Sequence, residues 1–290
     1  MTLLPWDDEI APHLTAMQPV VGGFSSADRG IVTLSDGTRA FVKLATDEDS
    51  QYWTRKEIIV YQTLLKAGYP YMPRLLAVRD DQTAFALEDL SDQDFGPIWH
   101  HDKVAAVMKA RDELKKRKHL FENNVLFTND SVVSMHNRWP ELADQSILDI
   151  LNARLQSFGQ HGNVSLDEVH RYTTILETWD RQFDTLVHHD IRSDNFAYDE
   201  TTQTGKLVDW NWLCIGNNEM DITPLCISMI RSDYDVYAQH PDLYSRQAIA
   251  YVVGYWLDVI LHRPDGSQAL RRVQAESVGI GLTLLRERSS

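Results

Sequence analysis

Leu186-Val187-His188-His189-Asp190-Ile191-Arg192-Ser193-Asp194-Asn195, followed downstream by Lys206-Leu207-Val208-Asp209-Trp210, is the stretch on which the reading of this chain turns. A short apolar strand carries His188 and Asp190 into a loop, and Asn195 lies five residues after Asp190. A hairpin then returns the chain through a second apolar run to Asp209. The spacing predicts two carboxylates and a carboxamide near one point, without a His/Cys ligand set. Oxygen donors of this kind suit a hard cation such as Mg²⁺, which keeps part of its water shell and leans on substrate phosphates. A carboxylate position is also left to accept a proton from an attacking hydroxyl.

Upstream, residues 1–90 read as strands around one helix. Residues 18–24 form a strand running into Gly22-Gly23. Residues 31–34 and 39–44 are apolar runs joined by Ser35-Asp36-Gly37-Thr38, and Asp-Gly between such runs signals a tight hairpin. A helix is predicted over 50–67, stopped by Gly68 and by Pro70 and Pro73. Strands follow at 74–78 and 83–87. Alternation along the third strand places Phe41 and Lys43 on one face and Val42 on the other. On the helix, Glu57, Tyr61, Leu64 and Leu65 fall at helical spacing, so Glu57 borders the buried stripe. After Glu88-Asp89-Leu90 the composition shifts to long helical patterns from 103 to 184, broken near 123–129 and 159–163, and again from 222 onward. The expected architecture is α+β, with a small β-rich N-terminal lobe over residues 1–90 and a larger, mainly α-helical lobe over 91–290.

Composition narrows the function classes. A net charge of −14 argues against a nucleic-acid partner, because phosphate contacts need Lys and Arg. The one basic run, Lys115-Lys116-Arg117-Lys118, reads as a solvated helix end favoured by the helix dipole. No apolar stretch reaches the length needed to span a bilayer; residues 248–261 come nearest but are too short and carry Asp258. The first residues lack the basic and apolar regions of a signal peptide. With only Cys214 and Cys226, a reducing, cytoplasmic setting is expected. From Glu177 to Asp235 there are twelve acids against four bases. With Trp179, Trp210 and Trp212 close in sequence, that excess suits a cationic small molecule held by Coulomb attraction and cation–π contact. Solubility alone accounts for it equally well.

His188-x-Asp190-x4-Asn195, then Asp209, resembles the catalytic loop and metal-binding aspartate of the aminoglycoside phosphotransferase/choline kinase family, relatives of protein kinases. The resemblance implies a two-lobed protein-kinase-like fold. It also implies transfer of the γ-phosphoryl group of ATP or GTP to a hydroxyl of a small molecule. By it, Asp190 is the catalytic base, with His188 and Lys43 in the catalytic set, and Asn195 and Asp209 hold Mg²⁺. Val21-Gly22-Gly23-Phe24-Ser25-Ser26 stands where the family covers the nucleotide, which assigns Gly22, Gly23, Phe24, Ser25 and Ser26 to the phosphates; a plain hairpin turn would look the same. Lys43 would meet the α and β phosphates, held by Glu57, while Phe41 stacks on adenine. Leu87-Glu88-Asp89-Leu90 is similar to the inter-lobe hinge, where backbone groups of Glu88 and Leu90 bond the adenine edge. Gly216-Asn217-Asn218-Glu219-Met220-Asp221 is similar to the family's G-D-P-x-x-D segment, with Asn-Asn replacing Asp-Pro, and makes Asp221 a buried brace. Arg192-Ser193-Asp194 replaces a frequent His-Pro-Gly and His189 a frequent Gly, which leaves the subfamily open.

The acceptor is likewise left among an aminoglycoside or other cationic antibiotic, choline or ethanolamine, a sugar, and a homoserine-type amino alcohol. A protein kinase is disfavoured by Asp209-Trp210-Asn211 in place of Asp-Phe-Gly and by the lack of an Ala-Pro-Glu segment. A catalytically inactive binding module is disfavoured because the Lys, Asp, Asn and metal-binding Asp positions are all filled.

Overall fold

Local sequence chemistry sets the ends of the first long helix, α1 (Glu48–Lys66). Asp47 accepts the Ser50 amide at 2.7 Å while the Ser50 hydroxyl takes the Asp47 amide at 3.0 Å, a reciprocal cap that starts the helix two residues before the expected position. Gly68, at φ +65°, ends it in the left-handed region that other residues avoid. The structure is a computed structural model that describes residues 3–20, 26–128, 138–160, 162–263 and 267–287. The proposed phosphate loop Val21-Gly22-Gly23-Phe24-Ser25, and with it most of the strand expected over 18–24, lies outside the described residues. The chain divides into two compact units. One comprises Met1–Gly96, His100–Phe127 and Ser193–Leu213, and the other Pro97–Trp99, Thr128–Arg192 and Cys214–Ser290. Neither unit is a continuous stretch of chain.

The first unit is built on a five-stranded antiparallel sheet in the order β1-β2-β3-β5-β4. Its strands are β1 (Gln18–Pro19), β2 (Asp28–Thr33), β3 (Arg39–Leu44), β4 (Leu75–Val78) and β5 (Ala84–Glu88). The expected 35–38 hairpin forms, with the Thr38 amide donating to Asp36 at 2.8 Å. Strand alternation sorts the side chains. Val32, Ala40, Val42, Ala84 and Ala86 face one way and pack with Trp6, Ile10 and Leu76 in a core closed by an N-terminal turn, Trp6–Ile10. Phe41, Lys43, Phe85 and Leu87 face the other way. Helix α2 (His101–Lys115) and the hairpin of β7 (Phe196–Asp199) and β8 (Thr204–Leu207) also belong to this unit. A bridge between Asp94 and Tyr198 and a bond from the Leu207 amide to the Tyr71 carbonyl, 2.8 Å, tie that hairpin in. The basic run after α2 is a solvated helix end: Lys115 meets Asp112 at 2.8 Å and Lys116 meets Glu113 at 2.5 Å.

Among the described residues the second unit is mainly helical, with one short strand pair, β6 (Thr185–Val187) with β9 (Cys214–Gly216). Helices α3 (Gln145–Ser157), α4 (Leu166–Glu177), α5 (Asn218–Arg231) and α7 (Gln268–Glu287) surround α6 (Arg246–His262). The apolar 248–261 run is therefore a core helix. Trp139 seats against it, its indole N–H donating to the Ala250 carbonyl at 2.8 Å. Gly254 permits this, since a Cβ there would lie 2.7 Å from the indole nitrogen. Among the described residues no helix is long and apolar enough to cross a membrane.

Candidate functional site

The cavity-facing side of the sheet opens onto a space of about 410 Å³, within the range of small-molecule sites. Ile31, Phe41, Phe85, Leu87 and Leu90 give it apolar walls, and Lys43, Glu57, Asn195 and Asp209 gather at its polar end. Every residue that lines it belongs to the first unit. Phe41 and Lys43 share this face as the alternation predicted, and Val42 is fully buried on the other.

Lys43 is the hub of the polar end. Its ammonium lies 2.9 and 2.8 Å from the two Glu57 oxygens and 3.4 Å from Asp209 Oδ1. Burial works against its charge, but the Glu57 and Asp209 carboxylates outweigh that and raise its pKa. Burial, opposed by Lys43 and helped by the Asp209 charge, pushes the Glu57 carboxyl up to about 8. Lys43 is thus the fixed charge of the pair, and Glu57 the member that takes a proton if its partner is lost. Asp209 adopts φ 62°, ψ 64°, a left-handed conformation that Asp tolerates better than most residues, and Asn211 donates to its Oδ1 at 2.8 Å. Asn195 is buried and joins the same wall through its carbonyl, which accepts the Val208 amide at 3.1 Å. Among the described residues no His or Cys lines the cavity, so its candidate metal ligands are oxygen donors and fit Mg²⁺ rather than a softer ion.

At the hinge stretch, Glu88 and Leu90 both line the cavity. The Glu88 carboxylate is turned to other work: it accepts the Arg74 amide at 3.0 Å and pairs with Lys206. Ser26, the one described residue of the expected phosphate loop, is exposed, and its carbonyl accepts the Thr46 hydroxyl at 2.7 Å.

The other predicted residues belong to the second unit. Strand β6 leads directly into His188, His189 and Asp190. His189 stands at φ +67°, which explains why glycine would suit this position. Its amide donates to the buried Asp221 carboxylate at 2.8 Å, so Asp221 braces the loop from α5. Asn217 caps α5, accepting the Glu219 and Met220 amides at 2.9 Å each, which is how Asn substitutes for the expected Asp. Asp190 accepts from Arg192 Nη1 at 2.6 Å, both side chains about a quarter exposed. His188 is fully buried, which removes its ring from contact with any diffusing substrate.

Of the three tryptophans near the acidic excess, Trp210 is withdrawn from solvent, while Trp212 stays 37% exposed. Trp210 is fully buried against Tyr69, Trp212 packs on Trp53 of α1, and Trp179 packs on Tyr251 of α6. Two of the acids serve local structure: Asp235 caps a helical turn, and Glu219 accepts from Ser245. Glu177, Asp180 and Asp184 remain exposed. Residues that pattern reading missed include Arg29, Tyr61, Phe85 and Phe95 on the cavity wall. For Arg29, Phe85 and Tyr61 a signal existed, since strand alternation and helical spacing put them on the same faces as Lys43 and Glu57.

No protein-family profile and no curated protein sequence matches this chain. Solved structures do. An aminoglycoside phosphotransferase from Alicyclobacillus acidocaldarius subsp. acidocaldarius DSM 446 superposes with a TM-score of 0.56 at 14% identity, covering 99% of this chain and 97% of that one. The GDP and kanamycin complex of APH(2")-IIia gives 0.56 at 15%, covering 93% and 92%. An ethanolamine kinase from Plasmodium vivax gives 0.53 at 11%, covering 97% and 87%. At such identities it is the fold that is shared, and the α+β, kinase-like fold expected from the catalytic-loop motif is the one found.

Proposed function

We propose that this protein is a small-molecule phosphotransferase that moves the γ-phosphoryl group of ATP or GTP to an acceptor hydroxyl. The observation that carries this reading is the buried Lys43, clamped by Glu57 and in reach of Asp209, at the polar end of an otherwise apolar cavity. A nucleobase suits the apolar walls, with Phe41 as the stacking surface and the Glu88–Leu90 backbone at its edge. The phosphates then lie toward Lys43. Five carboxylates and two cations line the cavity, so a triphosphate meets a net negative wall unless a divalent cation accompanies it. Asn195 and Asp209 are the residues that would hold Mg²⁺, which supplies charge neutralisation at the phosphates. The GDP complex among the structures of similar fold supports a nucleotide here.

Asp190 takes the acceptor proton as the acceptor oxygen forms its bond to the γ-phosphorus and the bond to the β–γ bridging oxygen breaks, releasing the nucleoside diphosphate. Asp221 and the buried His188 act as positioning residues for that loop. The acceptor is a small hydroxylated molecule. The exposed Glu177, Asp180 and Asp184 support a cationic one, of the aminoglycoside or amino-alcohol kind, and the two buried cysteine thiols suit a reducing compartment. Thermal-shift titration with Mg-ATP and Mg-GTP tests the nucleotide site, and the absence of stabilisation by either at millimolar concentration defeats the reading. An ATP-consumption screen over aminoglycosides, choline, ethanolamine, homoserine and neutral sugars, repeated as ionic strength rises, then identifies the acceptor class. A preferred neutral acceptor with no salt dependence would refute the cationic assignment while leaving the kinase chemistry in place.

A further inference from the structure

We propose that Arg29 is a phosphate-recognition residue of the nucleotide cavity, acting beside Lys43; the proposal rests on the nucleotide reading given above. The antiparallel register of β2 on β3 sets Arg29 directly opposite Lys43 and Ile31 directly opposite Phe41. Residues paired across an antiparallel ladder project from the same face. Two rungs therefore point into the cavity: an apolar one, Ile31 with Phe41, and a cationic one, Arg29 with Lys43. All four line the cavity wall. A nucleotide has the same polarity, an aromatic base at one end and anionic oxygens at the other, and the two rungs match it in order.

The backbone beneath Arg29 is held on both sides. Its carbonyl accepts the Val20 amide at 3.1 Å, and the neighbouring Gly30 sits so close to β1 that a Cβ would lie 2.5 Å from the Gln18 carbonyl oxygen. The guanidinium thus projects from a fixed strand, which lowers the ordering cost of each bond it makes. Its positive charge reaches Lys43, since it pulls the Lys43 pKa downward against the two carboxylates. Among the cavity-lining residues Arg29 and Lys43 are the two cations, and Lys43 already gives its ammonium to both oxygens of Glu57. A planar guanidinium grips two phosphate oxygens at once, where an ammonium offers a point charge. Arg29 therefore adds geometric selection for the phosphate chain to the charge that Lys43 supplies.

The experiment is calorimetric titration of Mg-ATP, Mg-ADP and adenosine into the wild-type chain and into Arg29→Ala, Arg29→Gln and Arg29→Lys. Loss of a charged hydrogen-bonding group should weaken ATP binding about 10- to 100-fold in the Ala and Gln variants. Lys should recover part of that, and adenosine affinity should stay within about twofold of wild type. The Gln and Lys variants keep a long stem on the strand and supply the answer if Ala fails to fold; unliganded melting curves report that directly. Unchanged ATP affinity, or an equal loss for ATP and adenosine, overturns the role of Arg29 while leaving the nucleotide site standing. If the wild-type chain binds none of the three probes, the nucleotide reading itself falls.

Discussion

Two ion pairs with the same chemistry do opposite jobs in the two units. Lys43–Glu57 in the first unit is sealed, with side chains 6% and 1% exposed, and Arg286–Glu168 in the second is open, with 40% and 11%. Lys43–Glu57 joins the consecutive elements β3 and α1, 14 positions apart, whereas Arg286–Glu168 joins two helices across 118 positions. Taking both charges of the sealed pair out of water offsets most of their attraction, so such a pair is weak evidence for stability. Arg286 keeps its contact with solvent, closes the capping box of α4 from outside and ties it to α7. In Arg192–Asp190 the cation is intermediate in exposure, at 26%, but the carboxylate, at 22%, is the most open of the three. On the proposed function, the charge buried beside the cavity acts on a ligand, while the pair left at the surface fastens two helices.

The contrast breaks first at Lys43. Lys43→Ala should reduce turnover by about 10³-fold or more, because charge neutralisation and positioning carry phosphoryl transfer. Yet it should remain folded, since Glu57, already pushed up to about 8, takes a proton when its partner goes. Steady-state kinetics and a melting curve on one preparation check both halves; a collapse of the fold would show that the sealed pair is structural after all. Asp190→Asn should lower kcat by about 10²–10⁴ while Mg-ATP affinity stays near wild type. Loss of Mg-ATP binding in Asp190→Asn would reverse the roles given to Asp190 and Asp209.

The comparison sharpens with a double replacement. Lys43→Met with Glu57→Leu should leave the unit as stable as wild type or more so, by about 1–4 kcal/mol, and inactive, as measured by denaturant unfolding and turnover. Arg286→Ala, by contrast, should cost only about 0.5–1 kcal/mol and leave kcat unchanged. That small contribution has a pH signature. Burial raises Glu168, but Arg286 and the Ser165 bonds outweigh it, so its folded pKa lies below the ordinary carboxylate value. Its stabilisation is complete above the unfolded value and disappears as pH falls through the folded one. Wild type and Arg286→Ala should therefore converge in stability toward acid and separate above about pH 4.5.

Pattern reading reached the parts of the site that local periodicity encodes. Phe41, Lys43 and Glu57 were legible because a strand alternates and a helix repeats, and both periods survive folding unchanged. The spacing also marks Asn195 and Asp209, which the structure brings to one cavity wall, whereas Asp190 belongs to the second unit and its role stays a proposal. What stayed hidden depends on pairings with no local mark. Cys214–Gly216 is too short to read as a strand until Thr185–Val187 lies beside it. Lys103, fully buried, looks like a surface lysine until Asp94 and the Gly96 carbonyl meet it at 2.7 and 2.8 Å. Trp210 lies close to several acids in sequence, but nearness in sequence does not fix exposure, and the fold closes it against Tyr69.

The division of the chain has a bearing on how the molecule is made. The contact between Lys43 and Asp209 bridges 166 positions, and the wall that carries Asn195 and Asp209 is supplied by Ser193–Leu213, long after the five-stranded sheet has been translated. A ribosome therefore releases the sheet, the first long helix and α2 well before their last partner exists, and the nascent chain must carry an unfinished cavity while Thr128–Arg192 of the helical unit is being polymerised. Loop closure over such a separation is slow, and exposed apolar surface during that interval invites aggregation. Biosynthesis of this protein should accordingly be most vulnerable to heat shock and to chaperone depletion in the interval before residue 213 leaves the exit tunnel, when pulse-labelled nascent chains would be most sensitive to protease.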